Sequence, residues 1–358
     1  MVLKDKNLYY VGGIVRDEIL GQQSFDTDFC YEGNAIEFSK ELNVIKTNPD
    51  FGTVRVLINE KEIDIASTRS ETYPKAGHLP IVENIGCSLK EDLKRRDFTI
   101  NAMAKNTVTE EILDYFGGLE DLKNKKLQVL HESSFIDDPT RIVRGLKFSV
   151  RFGFELSDES KLLQNAYLDN VNYDMSFHRL KKELKETFNL NKDITYEKFV
   201  KEGIYKLLGK NQIPQVPTCK ISELINKYTP NNTWIIYLGA FNLINFDLTQ
   251  EESDIITSFN AIKNNKPEKD YDTYKLFENK PLESILLYAS FVEKNIAIKY
   301  LDKLKSIKIE ISGDDLIKLG IPQGKIYKEI FDFVLKTKLK NPSLDLTSEL
   351  ELVKQTFL

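Results

Sequence analysis

The run Tyr9-Tyr10-Val11-Gly12-Gly13-Ile14-Val15-Arg16-Asp17, followed by Ser24-Phe25-Asp26-Thr27-Asp28-Phe29, decides how the first third of this chain is read. A β-branched and aromatic stretch entering two glycines and then a helical pattern predicts strand, turn and helix. Backbone N–H groups at such a turn allow an anion to approach closely, as a triphosphate requires. Asp26 and Asp28 alternate about Thr27, so on a strand both carboxylates point to one face, where a divalent cation could bridge them. Asp64, in Ile63-Asp64-Ile65, adds a third carboxylate on what reads as an adjacent strand. Three carboxylates near a phosphate cradle predict two-metal phosphoryl or nucleotidyl transfer.

Working outward, Leu8 to Val11, Val54 to Ile58 and Glu62 to Ala66 read as strands, and Ala35 to Leu42 as a helix. From about Asp138 the texture changes to long amphipathic helical stretches, beginning with Thr140 to Phe152, Lys161 to Leu168 and Ser176 to Phe188. The fold class expected is α+β, a head with a small mixed sheet followed by an all-α remainder. The expected divisions are a catalytic head over 1–135, a neck over 136–190, a helical body over 191–270 and a helical tail over 271–358. Pro214 to Pro217 and Lys263 to Asp272 are the clearest breaks in the helical part.

At 358 residues the chain is long enough to bury a core without staples. Cys30, Cys87 and Cys219 are odd in number and far apart, which argues against a disulfide framework or zinc site and for a reducing compartment. The three histidines never pair at ligand spacing, so any metal chemistry must use carboxylates. The first residues hold no apolar leader, and Trp234 to Phe246 is too short and too polar to span a bilayer; no membrane partner and a cytoplasmic location are expected. The formal net charge of −5 by itself argues against nucleic acid, but distribution matters more than the sum. Of 50 basic residues only nine are arginine, and none follows Arg179. In a lysine-rich chain, that bias points to arginines kept for bidentate contacts to phosphate, carboxylate or base edges in the first half.

The head motifs resemble the V-G-G-x-V-R-D and D-x-D of class II tRNA nucleotidyltransferases, the CCA-adding and bacterial poly(A) polymerase family of the DNA polymerase β superfamily. Arg95-Arg96-Asp97-Phe98-Thr99-Ile100-Asn101-Ala102 is similar to that family's R-R-D-F-T-x-N-A. Asp114 to Leu122 resembles its hinge motif, Asp137-Asp138-Pro139-Thr140-Arg141 its nucleotide-selecting E-D-x-x-R, and Ser176 to Leu180 with Glu183-Leu184 its neck helix. Ser312 to Gly324 looks like its C-terminal signature. The likeness is specific over the first 190 residues, whereas roughly 190 to 310 carries only helical texture. Asp137 stands where the family usually has Glu, which leaves the role of that position open.

Each motif also has a reading of its own. If the segment is helical, Asp97 and Asn101 share a face and suit a ribose hydroxyl while an arginine meets phosphate; a buried arginine network tying helix to sheet is the plainer reading. Asp138 and Arg141, three apart at a helix start, suit the Watson–Crick edge of C or A, a carboxylate accepting and a guanidinium donating; a helix cap with an ion pair explains the same spacing. The polar stretch Thr68 to Ser88 is too long for a tight connection. The resemblance implies that a flexible loop here serves addition of the terminal A, which favours full CCA addition.

The resemblance therefore implies a Mg²⁺-dependent enzyme that adds CCA to tRNA 3′ ends from CTP and ATP without a template. Asp26 and Asp28 are the expected metal ligands, with Asp64 as third catalytic carboxylate. Gly12, Gly13, Arg16, Arg95, Arg96, Asp97, Asn101, Asp138, Arg141 and Arg144 are the expected nucleotide-binding residues. The expected partner is the tRNA acceptor stem and 3′ end. A CC-adding or A-adding specialist or a poly(A) polymerase is the near alternative, the last disfavoured for want of a strongly basic C-terminal extension. An inactive RNA-binding relative is the remote one, since it should have lost carboxylates.

Overall fold

The computed structural model describes residues 3–24 and 27–358, and its described part divides into two compact units. Unit 1 comprises 1–212 with 244–247, and unit 2 comprises 213–243 with 248–358. The break between Gln212 and Ile213 lies just before the expected joint at Pro214 to Pro217. Phe25 and Asp26 lie outside the described residues, so the expected one-faced D-x-D pair is represented only by Asp28.

Unit 1 is built on a mixed sheet of seven strands. These are β1 (Leu8–Val11), β2 (Asp28–Tyr31), β3 (Val44–Asn48), β4 (Thr53–Ile58), β5 (Lys61–Ser67), β8 (Met103–Asn106) and β9 (Ile112–Asp114), in the order β3-β4-β5-β2-β1-β8-β9. The remaining pair of this region, β6 (Arg69–Thr72) and β7 (Ile81–Ile85), forms a separate antiparallel hairpin. Within the large sheet β2 and β5 run parallel, with Asp28 opposite Asp64.

Alternation along these strands decides which side chains are buried. Phe29, Val54, Val56 and Ile65 join Leu8 and Ala35 in a core on one face, under the short helix α2 (Ala35–Phe38). On the other face Tyr9, Val11 and Cys30 pack with Leu89 and Leu93 of α3 (Leu89–Lys94). Asp28 stands two residues from Cys30 and therefore shares that second face, at its open end. Between β4 and β5 the two-residue turn Asn59-Glu60 has φ of 49° and 64°, the left-handed pair that a tight hairpin requires.

Gly12 follows β1 with φ of 71° and starts α1 (Gly13–Ile19). A Cβ on Gly12 would lie 3.1 Å from Nη1 of Arg96, so the glycine both allows the turn and keeps that guanidinium in place. Further along, α4 (Gly118–Asn124) and α5 (Ser134–Asp137) lead into α6 (Thr140–Phe152), α7 (Asp158–Asp169), α8 (Phe177–Phe188) and α9 (Asp193–Lys201). Ser176 caps α8 by accepting from the Arg179 amide.

Three expectations need correction here. The helix expected over Ala35 to Leu42 stops at Phe38, whose ring stacks on Tyr31 at 4.3 Å as the chain turns back toward the sheet edge. Thr68 to Ser88 is not a plain loop, because its ends pair as β6 and β7. Asp138 is not on the helix that carries Arg141: it is extended, at φ −141° and ψ 93°, because Pro139 disfavours helical backbone before it.

Unit 2 is all-helical, from α10 (Ile221–Tyr228) to α18 (Leu346–Phe357). Its hydrophobic centre is α14 (Leu282–Phe291), buried from Glu283 to Ser290. Near its end, wholly buried Glu349 accepts from the Glu310 and Ile311 amides and from Nζ of Lys338, tying α18 to α17 (Ile326–Lys340). No helix among the described residues is long and apolar enough to cross a membrane.

Candidate active site

Two clefts in unit 1 meet at Asp28 and Arg96, which line both. The first, about 430 Å³, lies on the open sheet face and is lined by Asp64, Arg55, Lys46 and Asn48, among others. The second, about 440 Å³, runs from Gly12 and Gly13 to the neck residues Asp138, Arg141, Arg144, Arg179 and Glu183. Six of the nine arginines line it, namely 16, 96, 141, 144, 151 and 179. The arginine bias of the sequence thus converges on one cavity, whose planar donors suit a polyanion.

A buried lattice of ion pairs holds these cations apart and aimed. Arg16 donates from Nε and Nη2 to Asp17 and from Nη1 to Asn101 at 2.6 Å, with its guanidinium over the rings of Phe148 and Phe152. Asn101 donates to Asp97 Oδ1 at 2.9 Å, and Arg144 grips Asp97 Oδ2 from Nε at 2.8 Å and Nη2 at 2.6 Å. The expected Asp97–Asn101 pair therefore forms, but not on an α-helix: Phe98 is extended and Thr99–Asn101 is a single 3₁₀ turn.

Asp92 organises the neighbouring arginines. Wholly buried, it accepts from Arg95 Nε and Nη2, from Arg96 Nη2 and from the Arg69 amide. Burial pushes its carboxyl up, but Arg96 and Arg95 outweigh that and hold it below the usual range. Arg95 also reaches Glu71 and the carbonyl of Arg69, so it is consumed by the scaffold and lines neither cleft. For Arg95 the buried-network reading is what the structure displays. Arg96 differs: its Nε is buried with no hydrogen-bond partner among the described residues, and the side chain borders both clefts.

Arg141 donates to Ser134 Oγ at 2.6 Å and to the Arg95 carbonyl at 2.9 Å, with longer contacts to His131 Nε2 at 3.3 Å and Tyr73 Oη at 3.4 Å. The short pair fixes the guanidinium; the long pair is weak enough for a base edge to replace. Asp138 accepts through Oδ1 from Thr140 N and Oγ1 and through Oδ2 from Arg179 at 2.5 Å. It does cap the start of α6, yet its ion-pair partner is Arg179, not Arg141. Arg179, Lys147, Arg151 and Glu183 line the same cleft beyond the residues expected there, and the scarcity of arginine in the sequence points to two of them.

The carboxylates offer hard oxygen donors of the kind Mg²⁺ takes. Asp28 and Asp64 face each other across β2 and β5, which fits such a cation, while Asp26 lies outside the described residues. Among the described residues no three His, Cys, Asp or Glu side chains gather closely enough to form a complete cage.

Acid should dissect the lattice. Burial alone would raise the Asp97 carboxyl, but Arg144, Asn101 and the Phe98 amide bring it down to about 2. A folded-state value below that of an unfolded aspartate means stabilisation complete above about pH 4 and lost as pH falls toward 2. The difference is worth about 2 kcal/mol. In urea unfolding from pH 5 to pH 2, the gap between the parent and Asp97→Asn should narrow by that amount. A constant gap would show that Asp97 does not titrate in this window.

The site thus combines a mixed sheet with paired carboxylates on its open face, a Gly-Gly turn and an arginine-lined cleft. Residues 8–128 match the poly(A) polymerase head domain family. Beyond that head the chain is similar to tRNA nucleotidyltransferases over nearly its whole length, although it spans less than half of the first curated relatives it matches. An A-adding tRNA nucleotidyltransferase of Aquifex aeolicus is 33% identical over 93% of this chain, which spans only 45% of that relative. A CCA-adding enzyme in an apo form superposes with a TM-score of 0.79 at 27% identity, over 98% of this chain and 92% of the other. The Thermotoga maritima CCA-adding enzyme complexed with tRNA gives 0.74 at 27% identity, over 98% and 91%.

Proposed function

We propose that this chain, acting in the cytoplasm, completes the CCA end of tRNA from CTP and ATP without a nucleic-acid template. The observation that carries this reading is Asp28 at the junction of two clefts, one bordered by the second carboxylate and one by six arginines. The acceptor 3′ end belongs in the first and the triphosphate in the second. The 3′-hydroxyl oxygen attacks the α-phosphorus, a phosphodiester forms, the α–β bond breaks and pyrophosphate leaves. Asp28 and Asp26 would hold Mg²⁺, which when bound supplies Lewis-acid neutralisation of charge on the reacting phosphate. Asp64 orients and deprotonates the acceptor hydroxyl. Gly12 and Gly13 let the phosphates approach the backbone, while Arg96 and its neighbours neutralise them. Asp138 and Arg141 read the base edge, Arg141 exchanging its long contacts to His131 and Tyr73 for the base.

A second reading, addition of the terminal A alone, draws on the A-adding name of the Aquifex relative. Supplying CTP and ATP singly to tRNA transcripts ending in the discriminator base, in C and in CC separates the two. Full CCA addition requires CTP incorporation on the first two substrates and ATP on the third; ATP incorporation on CC alone identifies the specialist. In the same assay Arg141→Ala should erode discrimination against GTP and UTP by about tenfold or more, the worth of a bidentate base contact. Unchanged ratios would remove Arg141 from base reading.

A further inference from the structure

The sheet register lines up four charged residues in one row across four strands. Lys46 on β3 stands opposite Arg55 on β4, Arg55 opposite Asp64 on β5, and Asp64 opposite Asp28 on β2. All four line the first cleft. Neighbouring strands lie about 4.8 Å apart, so each member is within side-chain reach of the next.

Arg55 occupies both oxygens of Asp64, donating from Nε to Oδ1 at 2.7 Å and from Nη2 to Oδ2 at 2.8 Å. Its remaining terminal nitrogen, Nη1, reaches Glu62 Oε2 at 3.3 Å, two residues before Asp64 on the same face of β5. The fork geometry is one that lysine, abundant everywhere else in this chain, does not provide. Both partners of the pair are about half exposed, at 45% and 53%, so water competes for it and its rupture costs little. Lys46 on the far side offers Arg55 no anion to turn to, whereas Glu62 does.

We propose that Arg55 is the exchangeable counter-ion of Asp64. It is a positioning residue that keeps the second carboxylate oriented while no divalent cation is present. A cation held by Asp28 gains Asp64 as a further oxygen ligand only when Arg55 swings from Asp64 to Glu62. Arg55 thereby competes with metal and sets the concentration at which the carboxylate pair fills. This rests on the reading above, in which Asp28 and Asp64 serve the transfer.

The test is Mn²⁺ binding to the full chain, followed by the loss of the free-ion electron paramagnetic resonance signal without triphosphate or RNA. Arg55→Gln should bind Mn²⁺ about twofold to fivefold more tightly, the range over which an exposed ion pair competes. Arg55→Lys, which keeps the charge and loses the fork, should show a smaller gain. In an Asp64→Asn background Arg55→Gln should change nothing, because the effect passes through Asp64. Equal binding by the parent and Arg55→Gln overturns the proposal, as does the same gain in the Asp64→Asn background, which would make Arg55 a merely repulsive charge. Asp28→Asn separates the two levels. If it leaves Mn²⁺ binding intact, the carboxylate reading falls together with the inference; if it weakens binding while Arg55→Gln is silent, the inference alone falls.

Discussion

Asp28→Asn is expected to lower nucleotide addition by about a thousandfold, the loss of some 4 kcal/mol of charge stabilisation at the reacting phosphate. Asp28 opens β2, is exposed, and lies outside both hydrophobic clusters that pack on the sheet, so the amide should leave folding unchanged. Triphosphate binding should largely survive, because the arginines of the second cleft remain in place. Single-turnover extension of tRNA ending in CC, together with CTP titration and thermal unfolding, would separate chemistry from binding and stability. Extension within tenfold of the parent would take Asp28 out of the chemistry. Asp26→Asn is expected from the sequence to behave likewise.

Asp92→Ala should act on stability first. It removes the anion shared by two guanidiniums and an amide and leaves Arg95, among the described residues, with Glu71 as its one remaining carboxylate. Losing one partner of a buried ion-pair cluster costs about 3–5 kcal/mol. Chemical denaturation should show that loss directly. CTP affinity, measured where the variant is still folded, should fall with it, because Arg96 loses the partner that aims it at both clefts. Asp92→Glu should recover part of both. If Asp92→Ala unfolds like the parent, Glu71 carries the cluster and Asp92 is dispensable.

Legibility in the sequence followed how local the deciding interaction is. Leu8–Val11 and Thr140–Phe152 show their limits in their own patterns, the first closed by Gly12 and the second by Gly153 in a left-handed cap. The opposition of Asp28 and Asp64 was readable from alternation once both were placed on neighbouring strands. The hairpin of β6 and β7 was not, because Arg-Ser-Glu-Thr carries no apolar alternation; its Arg69 and Glu71 pair with each other, and Glu71 with Arg95. Nothing in the local pattern Leu-Lys-Glu-Asp-Leu-Lys sets Asp92 apart from Glu91, although Arg95 and Arg96 follow it at the helical spacings that make partners. Asp138 lies outside the helix start expected to hold it because Pro139 disfavours helical backbone in the residue before it.

The concentration of guanidinium groups in one cavity has a practical consequence for labelling. In most proteins a dicarbonyl reagent that condenses with arginine reports on the whole surface. Here the lysines carry the surface charge, and two of the three arginines outside the second cleft are engaged in the scaffold around Asp92 and Glu71. Adduct formation should therefore fall on the more exposed guanidiniums of that cleft, Arg144, Arg151 and Arg179, with half-exposed Arg55 as an internal control outside it, so that protection by a bound polyanion can be counted by mass.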